Sequence, residues 1–255
     1  MVDPMHFEAH AATYTAARPP YPPALWDRIR GLGVLRPGDR ALDLGAGTGQ
    51  ATGELLAAGL RVTAVEPGPR LASELRASHP AATVVVARAE DVELPAGSFE
   101  LVVAATSIHW LDLDTVLPKV RRLLVPGGRL LVWRNVFGDP SVRTPFRDRV
   151  DAIVRQREAP PRPGPDAEDV DAVAAALTRD GLFAVEDTAV FRWTIQLDEA
   201  RVRRLFATFS NWSPAEVDRA AAAVGGLGGS VVEHYQSWLL VLSSPAAVRH
   251  AGRAR

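Results

Sequence analysis

Between residues 40 and 135 the chain alternates short, almost wholly apolar runs with longer amphipathic ones. Ala41-Leu42-Asp43-Leu44 has the continuity of a buried strand, and residues 48–58 after it have the composition of a helix. Residues 61–66 (RVTAVE), 83–87 (TVVVA), 99–105 (FELVVAA) and 129–133 (RLLVW) continue the strand series, with a helix predicted over 69–78. Over 111–124 the apolar residues Leu113, Val116, Leu117, Val120, Leu123 and Leu124 recur at the three- and four-residue spacing of a helix face. Strands that are apolar throughout, separated by helices, belong to a parallel sheet covered on both faces. The predicted fold class is therefore α/β: a Rossmann-like, mostly parallel sheet with helices on both faces.

Outside that core the pattern is less regular. Pro126-Gly127-Gly128 reads as a turn feeding the strand at 129–133, and residues 158–166 (EAPPRPGPD) as a linker or mobile lid. Helices are expected over 169–179, 198–209 and 213–224, strands over 183–194 and 231–242, and a flexible joint over 225–229. The expected division is a lid or helical segment at 1–36, a cofactor-binding core at 37–137, a cap or substrate region with a returning strand at 138–230, and a last strand and tail at 231–255.

Composition narrows the partners. Of 255 residues 47% are hydrophobic and 23% charged, enough apolar material for a core. The formal net charge of −1 lacks the basic excess of a nucleic-acid binder, and Lys119 is the sole lysine among the basic residues. The absence of cysteine excludes disulfides, thiolate zinc sites and cysteine nucleophiles. His6, His10, His79, His234 and His250 show no metal-ligand spacing with carboxylates, so no metal is expected. No run approaches the roughly 20 apolar residues of a membrane span, and residues 1–10 lack the pattern of a secretory signal. The expectation is a cytoplasmic enzyme with a small-molecule partner and neither membrane nor nucleic acid; oligomeric state is not legible.

The chemistry concentrates in Asp43-Leu44-Gly45-Ala46-Gly47-Thr48-Gly49, which leaves a buried strand and opens a helix. Glycines there make a tight turn and let a ligand approach the backbone. Glu66 ends the second strand about 20 residues on, where an acidic residue can bond the ribose hydroxyls of a nucleotide-like cofactor. The spacing is G-x-G-x-G, not the G-x-G-x-x-G that seats a pyrophosphate on a helix N-terminus. A carboxylate two residues before the first glycine would repel a pyrophosphate, whereas it suits a cationic sulfonium ligand with a free amino group. A Tyr-x-x-x-Lys reductase pair is impossible, because the residues four beyond Tyr14, Tyr21 and Tyr235 are Arg18, Leu25 and Leu239.

These segments resemble the class I S-adenosylmethionine-dependent methyltransferases, in their small-molecule branch that includes trans-aconitate methyltransferase-like proteins. ALDLGAGTGQ (41–50) is similar to the family's cofactor loop, VTAVEP (62–67) to its ribose-binding strand end, and ARAEDVELP (87–95) to its adenine-side segment. FELVVAATSIHWLD (99–112) resembles the fourth strand and its exit, and RRLLVPGGRLLVW (121–133) the following helix, turn and strand. FEAHAATYTAARPPYP (7–22) resembles the segment folded over the cofactor. The resemblance implies S-adenosyl-L-methionine as cofactor, with Gly45, Gly47 and Gly49 against its methionine part and Asp43 orienting it. It further implies Glu66 on the ribose, Pro67, Ala89 and Glu90 about the adenine, Thr106 lining the methionine end, and Tyr14 and Arg18 closing over the top. Related sequences often run Trp-Asn where this chain has Trp133-Arg134-Asn135, so the resemblance assigns Asn135 no role.

Methyl transfer chiefly requires alignment of nucleophile, methyl and sulfur, and exclusion of water. A base is needed when the acceptor must lose a proton. His109, just past the fourth strand, is the candidate catalytic residue, with Trp110 as a pocket wall; a packing role for His109 is the competing reading. Three alternatives to a small-molecule methyltransferase stand beside it: a nucleic-acid or protein methyltransferase, disfavoured by charge and by Ala104-Ala105-Thr106-Ser107; a non-catalytic cofactor-binding protein; and an NAD-dependent oxidoreductase.

Overall fold

The computed structural model describes residues 17–157, 166, 168–209 and 211–245. Tyr14 and most of the Pro-rich 158–166 stretch lie outside them. Helix α1 (Pro23–Gly31) precedes β1 (Arg40–Leu44), α2 (Gln50–Ala57), β2 (Arg61–Val65), α3 (Pro69–Ser78), β3 (Thr83–Val85) and β4 (Phe99–Ala105). A single 3-10 turn at Ile108–Trp110 leads to α4 (Leu113–Leu123) and β5 (Leu124–Val136). Then come α5 (Pro145–Val154), α6 (Val170–Thr178), β6 (Ala184–Asp198), α7 (Glu199–Ala207), α8 (Pro214–Gly225) and β7 (Ser230–Ser243).

These strands form one seven-stranded sheet in the order β3-β2-β1-β4-β5-β7-β6. β3, β2, β1, β4 and β5 are mutually parallel, and β7 and β6 are added antiparallel at one edge. Residue parity explains the continuous apolar runs, because successive side chains on a strand face opposite sides. Leu42, Leu44, Val102, Ala104, Leu130 and Val132 pack with Val116, Leu117 and Val120 of α4 and Val173 and Leu177 of α6. Their alternates Ala41, Leu101, Val103, Leu131 and Trp133 pack with Leu25, Trp26 and Ile29 of α1 and Ala51 and Leu55 of α2. Every central strand is thus apolar at both parities. α5, α7 and α8 close a third cluster around Phe146 and Phe206, against Val231 and Tyr235 of β7.

Two local differences from the sequence reading have physical causes. The Pro126-Gly127-Gly128 turn lies inside a strand: β5 already pairs with β4 at Phe99↔Leu124, and the ladder resumes after a bulge at Leu101↔Arg129. A Cβ on Gly128 would stand 3.1 Å from the Glu100 carbonyl, so close strand approach fixes glycine there. Helix α5 was not expected, although Thr144 caps it by accepting from the Arg147 amide at 3.1 Å and Pro145 starts it. No helix among the described residues is long and apolar enough to cross a membrane. Strand order reverses between β1 and β4, and ligands of open α/β sheets bind in the crevice at the carboxyl ends of such strands.

Candidate active site

That crevice is built by the turn after β1. Gly45 and Ala46 donate their amides to the Val65 carbonyl at 2.9 and 3.1 Å, which lays the glycine loop over the end of β2. Gly45, Gly47 and Gly49 all have positive φ, at 66°, 59° and 94°. A Cβ on Gly45 would stand 2.6 Å from Ser107 Cβ, and one on Gly49 would stand 2.5 Å from the His79 ring. A Cβ on Gly47 would meet no atom within 4 Å among the described residues. Gly45 and Gly49 are therefore glycines because protein packs against them, and Gly47 is the one with open space over it. His79, which the sequence left without a role, is the wall that imposes Gly49 and Gly53.

Asp43 lies on the α2 face of β1 and is fully buried. Its Oδ2 accepts from the Thr52 hydroxyl at 2.7 Å, while Oδ1 has no hydrogen-bond partner among the described residues. Loss of hydration raises its carboxyl to about 6, and the nearby Glu66 charge pushes the same way. Glu66 is buried too; its Oε2 accepts from the Gly47 amide and its Oε1 from the Gly68 amide, both at 2.8 Å. Two buried carboxylates thus lie close enough for one charge to act on the other, and one of them holds the amide of the loop glycine that has no described atom over its Cβ position, an arrangement that favours a ligand carrying positive charge.

The other residues expected here are placed as follows. Thr106 leaves β4 at φ 60°, a strained conformation for a β-branched residue, with its amide on the Trp133 carbonyl at 2.7 Å and its hydroxyl 2.9 Å from that of Tyr21. Pro67 is exposed at the rim, and Ala89 is buried in the core beside Val92. Glu90 is turned to the protein: its Oε1 accepts from the Asp112 amide at 2.9 Å and Oε2 pairs with Arg88 at 3.3 Å. Arg18 donates to the Thr208 carbonyl at 3.0 Å and lies over the Phe209 ring at 4.8 Å, in the C-terminal helical cluster. His109 has Arg134 Nη1 at 2.9 Å from Nδ1 and 3.2 Å from Nε2, and its ring tilts against Trp110 at 4.7 Å.

Within the 7–22 segment expected to fold over the cofactor, sequence reasoning named Tyr14 and Arg18 but not the anchors of the strap formed by Arg18, Pro19, Pro20 and Tyr21. Gln50 donates to the Pro19 carbonyl at 3.2 Å, Asn135 to those of Pro19 and Pro20 at 3.4 and 3.3 Å, and Tyr21 reaches Thr106. Asn135 also accepts from Ser237 at 2.6 Å, so its place after Trp133-Arg134 anchors the strap to β5 and β7. The Ser107 hydroxyl donates to the Leu44 carbonyl at 2.5 Å and ties the exits of β1 and β4 together. The Pro-Pro-Tyr run was the available signal for the strap; nothing local announced Ser107.

A parallel sheet with its order reversed between β1 and β4, a glycine turn and an acidic end to β2 define a Rossmann-like α/β domain. Residues 42–132 match the family described as methyltransferase domain. An uncharacterized methyltransferase of Mycobacterium tuberculosis is 39% identical over 132 residues, covering 51% of this chain and 53% of that protein. The malonyl-[acyl-carrier protein] O-methyltransferase of Serratia marcescens is 28% identical over 161 residues, covering 55% and 63%. The chain spans about half the length of the curated relatives it matches. Among solved structures, a protein of Anaeromyxobacter dehalogenans provisionally assigned as a type II methyltransferase aligns over 88% of this chain and 97% of its own, with TM-score 0.58 and 28% identity. A provisionally assigned methyltransferase of Bacillus halodurans aligns over 86% and 98%, with TM-score 0.57 at 15% identity, a likeness of fold.

Proposed function

We propose that this chain is an S-adenosylmethionine-dependent methyltransferase acting on a small-molecule acceptor, in the trans-aconitate methyltransferase-like branch. The observation that carries the reading is the buried Asp43 oxygen without a partner among the described residues, near Glu66, which accepts from the amide of Gly47, a glycine with no described atom within 4 Å of its Cβ position. Burying an anion without compensation is costly, and a cationic ligand would supply the missing partner. The match of residues 42–132 to the methyltransferase domain supports the same cofactor. When bound, S-adenosylmethionine supplies a methyl group activated by a positively charged sulfur.

The protein's part is positioning. Gly47 admits the ligand to the backbone, Asp43 and Glu66 supply negative charge, and Glu66 would take the ribose hydroxyls by releasing or sharing its amide bonds. Pro67, Ala89 and Glu90 would border the adenine, Gly45, Gly49 and Thr106 would hold the loop and strand exit in shape, and Tyr14 and Arg18 would cover the site. His109 is proposed to act at the acceptor side. Arg134 can only donate, so an imidazole lone pair is engaged by it, and proton removal by His109 requires that contact to open. Calorimetric titration with S-adenosylhomocysteine and, separately, with NAD tests the assignment. Saturable binding of the first and none of the second is expected; the opposite result would sink it.

A further inference from the structure

A second buried polar group lies apart from the glycine loop, on the β7 face that α5, α7 and α8 cover. Glu233 and Tyr235 stand two residues apart on that face, each 2% exposed. Arg147 of α5 pairs with Glu233 Oε1 at 3.1 Å and stacks on the Phe137 ring at 4.4 Å. A Cβ on Gly138 would fall 1.2 Å from Arg147 Nη2, so glycine at 138 makes room for the guanidinium. Phe137 meets Tyr235 edge-on at 5.5 Å and Trp193 stacks on it at 4.7 Å. Two atoms in this aromatic setting have no hydrogen-bond partner among the described residues: Glu233 Oε2 and the Tyr235 hydroxyl. Unsatisfied polar atoms this deeply buried are rare, and each calls for a partner.

The cluster sits where an acceptor would approach. β7 runs antiparallel to β5 and pairs with it up to Val136↔Gln236, which places Tyr235 and Glu233 just past the carboxyl end of β5. The strap links the two regions, from Gln50 and Thr106 at the glycine-loop end to Thr208 through Arg18. The two open valences are complementary: a carboxylate oxygen accepts, and a phenol can donate. A carboxylate ligand would satisfy Tyr235 but meet the Glu233 oxygen as a like charge. A hydroxyl can donate to Glu233 and accept from Tyr235, and the stacked rings fit an apolar or aromatic body.

Resting on the methyltransferase reading, we propose that Glu233 and Tyr235 form the acceptor-recognition site, selecting a neutral, hydroxyl-bearing molecule with an apolar or aromatic body. Arg147 is a positioning residue that holds Glu233. The test uses the full chain and three probes of one shape, 4-fluorobenzyl alcohol, 4-fluorobenzoate and 4-fluorobenzylamine, titrated by fluorine NMR. Saturable binding of the alcohol in preference to the other two is expected. Tyr235→Phe and Glu233→Gln should each weaken it about tenfold, the loss of one buried hydrogen bond. Tyr235→Phe removes a hydroxyl that bonds nothing among the described residues, so its melting temperature should stay level or rise, which separates recognition from a structural role. No saturable binding of the alcohol, a preference for the benzoate or the amine, or alcohol affinity unchanged in Tyr235→Phe would overturn the proposal. The probes bind without cofactor, so titration with S-adenosylhomocysteine reports separately on the methyltransferase reading.

Discussion

Replacing Asp43 with asparagine should make the cofactor-free protein more stable while it abolishes cofactor binding. The Asp43 carboxyl is displaced by burial from its ordinary 3.8 to about 6. At about 1.4 kcal/mol per pH unit, the ionised group costs the fold about 3 kcal/mol at pH 7. The sign follows from proton counting. Below its unfolded value the group is protonated in both states and the cost is small, about 0.5 kcal/mol at pH 4. Between the unfolded and folded values the native state holds the extra proton, so stability falls as pH rises through this window. Above about 6 the full cost is present. Asparagine keeps an oxygen for the Thr52 hydroxyl but buries an amide without a partner, which returns about 1 kcal/mol. The expected gain for Asp43→Asn is therefore about 2 kcal/mol at pH 7, vanishing or reversing near pH 4. Urea unfolding of both proteins across that range measures it, and their difference cancels groups common to both. Saturating S-adenosylhomocysteine should reverse the order at pH 7, because only the wild type gains from ligand binding. A variant no more stable at pH 7, with a difference that does not change with pH, would refute the burial argument. A variant that still bound S-adenosylhomocysteine with unchanged affinity would remove Asp43 from the cofactor site.

The two kinds of glycine in the loop should separate in the same assays. The Cβ of Gly47→Val meets no atom within 4 Å among the described residues, so the left-handed backbone should cost about 1–2 kcal/mol of stability, and S-adenosylhomocysteine affinity should be lost. Gly45→Ala forces a methyl onto Ser107 and should cost about 2–4 kcal/mol in urea unfolding, combining that strain with overpacking. Equal behaviour of the two variants in both assays would show that the loop glycines are not divided between ligand and packing. His109→Ala should lower kcat on the true acceptor by about 10²-fold or more if the imidazole moves a proton, with cofactor affinity unchanged in calorimetry. Undiminished kcat would make His109 a wall that Arg134 and Trp110 hold in place.

Much of the sheet was legible because its strands obey a simple rule. β1, β2, β4 and the second half of β5 are buried on both faces, so their sequences are apolar at both parities and need no tertiary information to be read. β6 is an edge strand with exposed and half-buried residues alternating along most of its length, and its extension to Asp198 came from pairing with β7, not from its own pattern. Helix α5 shows apolar residues at Phe146, Val150 and Ile153, the i, i+4, i+7 signature, behind a Thr-Pro start, so its signal was present and passed over. The bulge in β5 was hidden because Pro-Gly-Gly marks a turn in isolation, and only the neighbouring β4 ladder makes it part of a strand.

The site was legible as a motif but not as a division of labour. Three glycines at alternate positions look equivalent in sequence, yet Ser107 and His79, 62 and 30 residues further along the chain, decide which of them can face a ligand. The same holds for charge. Asp43 reads in sequence as a residue that orients the cofactor, and in the fold it is a carboxylate with one oxygen bonded and the other buried with no partner among the described residues. Glu233 and Tyr235 gave no signal at all, because an alternating strand such as VVEHYQS places polar residues on either face equally well. Their significance appears only when α5 brings Arg147 onto Glu233 and one oxygen on each residue still has no partner among the described residues. In both places the informative quantity is an unmet hydrogen bond, which depends on what the rest of the fold supplies. The Asp43→Asn and Tyr235→Phe variants measure independently, at each site, how much stability such an atom costs the ligand-free fold.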